Sequence, residues 1–331
     1  MLRAAVIGLG VGERHIPGYE SDPRCKVVAL SDINVDKMND VATRYPGRRL
    51  TVDPVELLTD PEIDVVSIAS YDECHHAQIM MALAYGKHVF VEKPVCLNGD
   101  ELSDIRRAVT SSGLRLSSNL ILRKTPRFVA LHDRLRAGEL GQPYHFDADY
   151  NYGRIHKIVD GWRGNTPGYS VVHGGGIHMI DLVIWLLGEK PIRVMATGSG
   201  ICTKDTGFQN YDCVVALMKF PCGATAKISA NFGCVFPHYH NLTVYGTKAT
   251  FQHGWDGARF FVSRDPSVLP ERIADVYPGA AKGDMLPAFV RALLDGSEPD
   301  VVESDVFDCM SVAIAIEQAV KLERAVEVRY S

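Results

Sequence analysis

The stretch "VIGLGVGERH", residues 6 to 15, sets the architecture of the first part of the chain. A short apolar run enters a glycine-rich turn and a helical pattern follows, which indicates a strand, a tight turn and a helix. In a dinucleotide-binding turn the first glycine permits the bend, and the second lets the backbone approach a pyrophosphate at the helix N-terminus. Glu13 stands where the strict pattern has its third glycine, and Gly12 comes one residue early. The stretch predicts a cofactor-binding turn formed by Gly8, Gly10, Val11 and Gly12.

The next predicted strand, "KVVALSD", ends at Asp32, 20 residues after Gly12. An acidic residue at that distance accepts hydrogen bonds from the adenine ribose of a dinucleotide. No arginine follows to bind a 2′-phosphate, because the next residues are Ile33 and Asn34. The pattern therefore favours NAD over NADP. A glycine turn with a purely structural role is the alternative.

The chain divides into two halves with different patterns. Up to about residue 120, five apolar runs alternate with helical stretches near 12–21, 35–45, 73–85 and 99–112. This alternation predicts an α/β domain with a doubly wound parallel sheet, the Rossmann arrangement. The five predicted strands are RAAVIGLG, KVVALSD, VVSIAS, KHVFVEK and LRLSSN.

After a helix near 125–137, candidate strands follow one another, joined by turns such as "FPCGA" and "YGTKA". Helices near 282–294 and 305–324 close the chain. This half predicts an α+β domain with a large, mostly antiparallel sheet that has one open face for solvent or a partner subunit. We expect a dinucleotide-binding domain over 1–120 and a substrate-binding and oligomerisation domain over 121–331.

Composition limits the partners and the compartment. The net charge is −5 and no basic block occurs, which argues against binding to nucleic acid or an anionic membrane. No run of 18 apolar residues is present, so we expect no membrane span. The eight cysteines are scattered without a C-x-x-C pair, which is typical of reduced thiols in a cytoplasmic protein.

Two polar segments are candidates for chemistry. "KHVFVEKPV" (87–95) predicts a strand that ends in Glu92, Lys93 and Pro94 at the ligand edge of the sheet, with a peptide before Pro94 that is a candidate for cis geometry. A lysine held there can protonate or hydrogen-bond a carbonyl oxygen. "HGGGIHMIDLVIWLLG" (173–188) places His178 and Asp181 on one face of a helix that we expect from about 177 to 187.

These segments together resemble the glucose-fructose oxidoreductase/inositol dehydrogenase/rhizopine catabolism (Gfo/Idh/MocA) family of NAD(P)-dependent oxidoreductases. The resemblance covers nearly the whole chain. It is carried by "GLGVGERH", "DVVSIASYDECH", "GKHVFVEKP", "LRKTP", "GELGQP", "GWR" and "HMIDLVIWLLG".

The resemblance implies a hydride transfer between nicotinamide and a hydroxyl or ketone of a sugar, cyclitol or nucleotide sugar. It also implies dimers or tetramers assembled through the open sheet. Lys93 and His178 are implied as active-site residues, and the segment with Ser70, Tyr71 and His75 is implied to line the cofactor, as is Glu92.

Positions 71 and 72 depart from the T-P-N-x-x-H pattern that is usual in the cofactor segment, and one residue departs in the central segment. Family members often carry D-x-G-x-H-x-x-D before this helix, and here Gly174 stands at the first aspartate position while Gly176 and His178 match. The departure leaves three explanations open: a subgroup that works with Lys93 and His178 alone, a substitute such as His173, or a protein without catalysis.

His178 has two further interpretations that the residues leave open. In the first turn of a helix, the helix dipole disfavours a charged imidazole, which leaves a neutral ring able to take a hydroxyl proton. A buried core histidine is the alternative. A metal site is disfavoured, because His173 and His178 lie five apart across flexible glycines with no cysteine nearby.

The weaker candidates for substrate binding surround this helix. Asp181 can orient the His178 ring or bind a substrate hydroxyl, and Tyr152 and Arg163 precede the helix in the chain. For Tyr152, Arg163 and four further candidates, plain packing or solvent exposure is an equal or stronger alternative. The others are Trp162, Tyr169, His238 and His240.

The sequence therefore predicts an NAD-dependent dehydrogenase or reductase. In it, His178 or Lys93 accepts the hydroxyl proton while the hydride passes to nicotinamide. Two alternatives remain: a dinucleotide sensor or scaffold without chemistry, and an NAD-dependent enzyme that cleaves glycosides.

Overall fold

The computed structural model describes residues 1–166 and 168–330. The chain forms two compact units. The first comprises Met1–Ile121 and Ala280–Met310, and the second comprises Leu122–Gly279 and the residues from Ser311 onward. Within the described ranges, no helix combines the length and the apolar character that crossing a membrane requires.

The first unit contains a six-stranded parallel sheet with the order β3-β2-β1-β4-β5-β6. All five strands predicted from apolar runs are confirmed. Strand β3 was missed because its three residues, Arg49, Leu50 and Thr51, form no apolar run. The strands are β1 (Leu2–Ile7), β2 (Cys25–Ser31), β3 (Arg49–Thr51), β4 (Val65–Ile68), β5 (His88–Val91) and β6 (Leu116–Ser118).

Two helices of this unit begin at asparagine caps. The Asn34 side chain accepts the amide hydrogen of Lys37, and that of Asn98 accepts the amide hydrogen of Glu101, as expected for N-caps. The predicted first helix is divided into a 3₁₀ turn (Gly12–His15) and α1. The helices are α1 (Ile16–Tyr19), α2 (Val35–Arg44), α3 (Val55–Leu58), α4 (His75–Ala84) and α5 (Gly99–Ser112).

The second unit is built on a nine-stranded sheet with the order β14-β13-β12-β11-β7-β10-β9-β8-β15. All described pairs are antiparallel except β7 with β10, which confirms the mostly antiparallel sheet. Its strands are β7 (Pro143–Asn151), β8 (Arg193–Ser199), β9 (Cys213–Lys219), β10 (Thr225–Asn231), β11 (Tyr239–Gly246), β12 (Thr250–Gly254), β13 (Gly257–Phe261), β14 (Glu271–Ile273) and β15 (Val326–Glu327).

Alternation along β7 shows why this sheet has two different faces. Phe146, Ala148 and Tyr150 are buried, while the residues between them are only half-buried. The covered face carries helix α9, which packs on β7 and β10. The helices of this unit are α6 (Pro126–Arg136), α7 (His156–Val159), α8 (Trp162–Asn165) and α9 (Ile177–Leu187).

Two further helices follow β14 in the chain, α10 (Leu286–Asp295) and α11 (Glu303–Leu322). Phe289 of α10 packs against Phe90 of β5, with ring centroids 5.7 Å apart, so this helix completes the core of the first unit. The domains 1–120 and 121–331 were predicted as continuous segments and stay a prediction. The compact units of the structure are discontinuous, because α10 returns to the parallel sheet.

Candidate active site

The glycine turn after β1 has two packed glycines and one exposed glycine. Gly8 has φ +83°, and a Cβ on it would lie 2.3 Å from the carbonyl oxygen of Ala69. A Cβ on Gly12 would lie 2.8 Å from Val6 Cγ1, whereas one on Gly10 would meet no atom within 4 Å. Gly8 and Gly12 therefore close the turn against the sheet. Gly10 leaves room for a ligand to approach the backbone.

Gly12 also explains why Glu13 is tolerated at the third position of the fingerprint. The close packing that the third glycine usually provides is supplied one residue earlier. The Glu13 carboxylate contacts Lys37 at 2.9 Å and Arg44 at 2.7 Å. Burial raises the pKa of Glu13, but the hydrogen bonds from these two cations outweigh burial and lower it. Glu13 therefore joins the turn to helix α2.

Asp32 lies at the carboxyl end of β2 and is half-buried. Its two oxygens accept hydrogen bonds from the amides of Leu9, at 2.6 Å, and Asn34, at 2.8 Å. Each carboxylate oxygen retains a second acceptor direction. Asp32 thus holds the glycine turn in place and still has capacity for the two hydroxyls of a ribose. The turn and Asp32 together fit NAD.

The segment after β4 is tied to the turn after β5. Ser70 donates its hydroxyl hydrogen to Gln78 Oε1 at 2.7 Å. The buried His75 ring lies between two backbone carbonyl oxygens, those of Pro94 at 2.6 Å and Ser70 at 3.2 Å. His75 therefore fixes one ligand-edge loop against the other, and its predicted cofactor contact remains a prediction.

Lys93 follows β5 and is half-buried, and its peptide bond to Pro94 is cis. The neighbouring Glu92 is buried, and its carboxylate is 3.3 Å from His15 Nε2 and 2.7 Å from the Asn119 amide nitrogen. Burial raises the pKa of Glu92. The hydrogen bond with His15 and the charges of Lys282 and Lys93 outweigh it and hold that pKa well below its usual range. An ionised carboxylate therefore stands beside the Lys93 ammonium.

Sequence reasoning missed the buried polar groups behind Glu92. His15 is fully buried, and its Nδ1 lies 2.7 Å from the hydroxyl of Ser67 on β4. Asn119, directly after β6, is also fully buried and holds Glu92 from the other side. His15 lies in the turn after β1, and Asn119 directly follows β6. A position just after the carboxyl end of a parallel strand is therefore the sequence signal that points to both residues.

In the second unit, His178 lies on α9 and is 4% exposed. Its ring stacks on Tyr150, with centroids 6.0 Å apart and an interplanar angle of 22°. The centroid of the His240 ring lies 6.4 Å from that of His178, and the His238 ring centroid lies 5.0 Å from that of His240. The structure thus brings together His178, the two histidines of "FPHYHNL" and Tyr152, whose ring is 5.3 Å from His238. Tyr150 was not singled out from the sequence.

Helix α9 has the bounds that the sequence predicts, Ile177–Leu187, but its N-terminus is not a free helix end. A π-helical turn, Val172–Gly176, runs directly into α9, so His178 does not lie in the first turn of the helical segment. Dipole effects are confined to the terminal turn, so the predicted effect of a free helix end does not apply to His178, and its neutral state stays a prediction. Turns of this kind interrupt helices frequently at functional sites.

Asp181 is 1% exposed and forms a buried ion pair with Arg123. The guanidinium places Nη2 2.7 Å from Oδ1, and Nε lies 3.1 Å from both carboxylate oxygens. Arg123 also lies over the Trp185 ring, 6.0 Å from its centroid. This fork geometry makes Asp181 a partner of Arg123, a residue within "LRKTP" that sequence reasoning did not single out.

Tyr152 and Arg163, the other two predicted substrate contacts, lie in the same unit. Tyr152 is buried against Phe232 with centroids 4.4 Å apart, and Arg163 is half-buried over Trp162 at 4.5 Å. Burial raises the pKa of Tyr150, with further contributions from Tyr152 and Tyr169 that the charges of Arg163 and Arg154 oppose. These groups therefore act on one another electrostatically.

No group of three or more His, Cys, Asp or Glu side chains in residues 1–166 and 168–330 has the arrangement to hold a metal ion. Among the predicted active-site residues, Lys93 belongs to the first unit and His178 to the second. Their cooperation in one site stays a prediction.

Residues 2–120 match the family model described as oxidoreductase family, NAD-binding Rossmann fold, and residues 128–252 match the GFO/IDH/MocA C-terminal domain. A glycine turn that fits a dinucleotide, followed by a match to this C-terminal domain, defines an NAD-dependent oxidoreductase. The chain belongs to the GFO/IDH/MocA family, which confirms the resemblance seen in the sequence.

Characterised relatives are similar at low identity. Myo-inositol 2-dehydrogenase of Thermotoga maritima is 23% identical over 98% of each chain. Scyllo-inositol 2-dehydrogenase (NAD(+)) of Bacillus subtilis is 28% identical over 75% of this chain and 72% of that protein. The structure of levoglucosan dehydrogenase in complex with NADH and levoglucosan superposes with TM-score 0.87 and 20% identity over 100% of both chains, which shows a shared fold.

Proposed function

We propose that this protein oxidises a secondary hydroxyl of a sugar or cyclitol, or reduces the corresponding ketone, with NAD as the redox partner. The observation that carries the proposal is the position of Lys93. It follows β5 in an NAD-binding Rossmann unit, beside a carboxylate that stays ionised. The relatives named above, two inositol dehydrogenases and levoglucosan dehydrogenase, support a polyhydroxylated substrate.

The residues of the first unit have separate tasks in this proposal. Gly8, Gly10, Val11 and Gly12 form the backbone surface for the pyrophosphate, and Asp32 accepts from the ribose hydroxyls. NAD, when bound, supplies the acceptor for the hydride that leaves the carbinol carbon. Lys93 hydrogen-bonds the substrate oxygen, and Glu92 keeps that ammonium charged and oriented. Ser70 and His75 shape the adjoining loop.

In the second unit, His178 takes the proton that the substrate hydroxyl loses, or returns it in the reductive direction. Tyr152 and Arg163 contact the remaining hydroxyls of the substrate. Asp181 acts through Arg123, which it binds with both carboxylate oxygens. We therefore treat Asp181 as a positioning residue of the substrate unit.

Replacement of Lys93 tests the proposal. For Lys93→Ala we expect turnover to fall by ~100-fold or more, because a hydrogen-bonding and charge-stabilising group is lost, while NAD affinity stays within about threefold. The assay is reduced-cofactor absorbance across a panel of inositols, sugars and nucleotide sugars, with NAD binding by calorimetry. Lys26→Ala, at an exposed position on β2, is the control. Hydride transfer at the wild-type rate in Lys93→Ala would overturn the role.

The open face of the large sheet supports a further proposal, a homodimer or homotetramer formed through it. Met195 of β8 and Leu217 of β9 are direct neighbours in register, and each is more than half exposed. Adjacent exposed apolar side chains on a sheet favour a protein partner. Light scattering tests this: Leu217→Glu should lower the mass of the wild-type assembly, and a wild-type monomer contradicts the proposal.

We also propose a cytoplasmic location. The support is compositional, since eight cysteines without a paired spacing suit a reducing compartment. Fractionation of the source cells tests it.

A further inference from the structure

Gly174 has no room for a side chain, and the reason is a phenol. A Cβ built on Gly174 would lie 1.9 Å from the hydroxyl oxygen of Tyr169 and 2.7 Å from the ring carbon that bears it. Tyr169 is 3% exposed, and Gly174 is buried as well. The Tyr169 hydroxyl therefore occupies the volume into which any side chain at position 174 would project.

This volume lies on the same helical segment as His178. Residue 174 is in the π-helical turn, four residues before His178, and residues at this spacing share one side of a helix. The next glycine is crowded by the ring that stacks on His178, because a Cβ on Gly175 would lie 2.3 Å from Tyr150 Cε1. The glycines thus admit two tyrosines to the side of the helix that carries His178.

Ring contacts connect the Tyr169 phenol to the His178 surroundings. Tyr169 contacts Phe232 with centroids 6.4 Å apart, and Phe232 lies 6.0 Å from Tyr150, which in turn stacks on His178. The Tyr169 hydroxyl also acts electrostatically on the Tyr150 phenol. The Tyr169 hydroxyl therefore belongs to the same buried aromatic cluster as His178.

We propose that the Tyr169 hydroxyl, placed over Gly174, is a substrate-binding group of this enzyme that hydrogen-bonds the reacting polyol next to His178. The inference rests on the proposed function. A phenol both donates and accepts, so it can bind a hydroxyl or a ketone oxygen in either reaction direction. It remains uncharged near neutral pH, unlike a carboxylate projecting from position 174.

Tyr169→Phe tests the hydroxyl alone, because the ring that fills the space over Gly174 is retained. We expect kcat/KM for the best substrate of the panel to fall about tenfold or more, as for one hydrogen bond lost in the transition state, while the melting temperature changes by only a few degrees. Tyr245→Phe, at a half-buried position on β11, is the control. A Tyr169→Phe enzyme that equals wild type overturns the inference.

A paired substitution tests the exchange of space. Gly174→Asp alone should lower stability, because its Cβ overlaps the Tyr169 hydroxyl. Tyr169→Ala alone should lower kcat/KM. The double variant Tyr169→Ala/Gly174→Asp should recover at least tenfold over Tyr169→Ala and gain an acidic limb in its pH profile. A double variant no better than Tyr169→Ala, with no such limb, counts against a shared position.

The proposed function and this inference fail separately. If the wild type oxidises a polyol and Tyr169→Phe matches it, only the Tyr169 inference falls. If the wild type oxidises no polyol, the proposed function falls. Polyol binding then tests the inference, measured as the shift in melting temperature that inositol causes. Equal shifts in wild type and Tyr169→Phe, or no shift in either, overturn the inference in that case.

Discussion

At the scale of single residues, the Arg123–Asp181 pair shows how a buried charge is kept. Both side chains are nearly inaccessible, so each needs the other to offset its lost hydration. For Asp181→Asn we expect a loss of ~3–5 kcal/mol in the free energy of unfolding of the second unit, because the buried guanidinium loses the carboxylate that binds it with both oxygens. Urea unfolding followed by far-UV circular dichroism measures this loss.

The double variant Arg123→Leu/Asp181→Leu is the control for that prediction. It removes both charges. Its loss of unfolding free energy should therefore be smaller than the summed losses of Arg123→Leu and Asp181→Leu by more than about 1 kcal/mol. Strict additivity would mean that the pair does not act as a unit. If the Asp181→Asn protein has wild-type stability and a raised KM, Asp181 binds the substrate directly instead.

His253 supplies a pH-dependent prediction. It is 1% exposed on β12, and Arg127 donates to its Nδ1 at 3.0 Å. Burial, with the nearby Arg127 charge, lowers the pKa of His253 to about 3. Between about pH 6.5 and that value the unfolded chain binds the proton and the folded chain does not, so stability rises with pH in this window.

We expect His253→Leu to reduce the slope of unfolding free energy against pH below 6.5 by up to ~1.4 kcal/mol per pH unit, one proton's worth. Urea denaturation at pH 5 and pH 7 measures the slope. His145→Leu, at a half-buried position on the same sheet, is the comparison variant. Equal slopes for wild type and His253→Leu would show that His253 is protonated in the folded state.

The sequence predicts single residues well where one local pattern specifies them. Gly8, Asp32 and Lys93 follow strands that the apolar runs mark, so their places at the ligand edge could be inferred. Arg123 and His15 could not, because their partners Asp181 and Glu92 are 58 and 77 residues away along the chain. Only the folded backbone brings such pairs together.

At the scale of the strand–turn–helix element, Gly8 and Gly10 offer a matched pair of substitutions. Gly8→Ala places a side chain at positive φ and against Ala69, so we expect a loss of about 2 kcal/mol or more of stability. Gly10→Ala meets open space, so its stability should equal wild type within about 1 kcal/mol. NAD affinity of Gly10→Ala should nevertheless fall by ~10-fold or more, because the methyl group blocks the pyrophosphate.

Chemical denaturation and calorimetric titration with NAD measure the two effects. The two effects should be separate: Gly8→Ala should lower stability, and Gly10→Ala should lower NAD affinity. A Gly10→Ala protein with wild-type NAD affinity would mean that the pyrophosphate does not approach this glycine.

The elements that sequence patterns missed are short or irregular. Strands β3, β14 and β15 have two or three residues and depend on a neighbouring strand for their hydrogen bonds. The π-helical turn was missed because three glycines carry no periodicity. It depends instead on Tyr150 and Tyr169, which occupy the space beside those glycines.

At the scale of the whole molecule, the fold class was predictable and the course of the chain was not. Apolar runs indicate a parallel sheet followed by a larger one. Nothing in the pattern of residues 286–295 indicates which sheet this helix covers. That choice depends on complementary packing, since Phe289 fits against Phe90 and the backbone of Gly283 lies close to Gly18.

The discontinuous first unit leads to a prediction for unfolding of the full chain. Phe289 of α10 and Phe251 of β12 are both buried phenylalanines, one in each unit. Because NAD binds the first unit, it should raise the unfolding transition of that unit, by about 2.7 kcal/mol at 100 times its Kd. Phe289→Ala should lower this same transition by ~3–5 kcal/mol, and Phe251→Ala should lower the other one. Differential scanning calorimetry with and without NAD measures both. If Phe289→Ala instead lowers the transition that NAD leaves unchanged, α10 does not belong to the nucleotide-binding core.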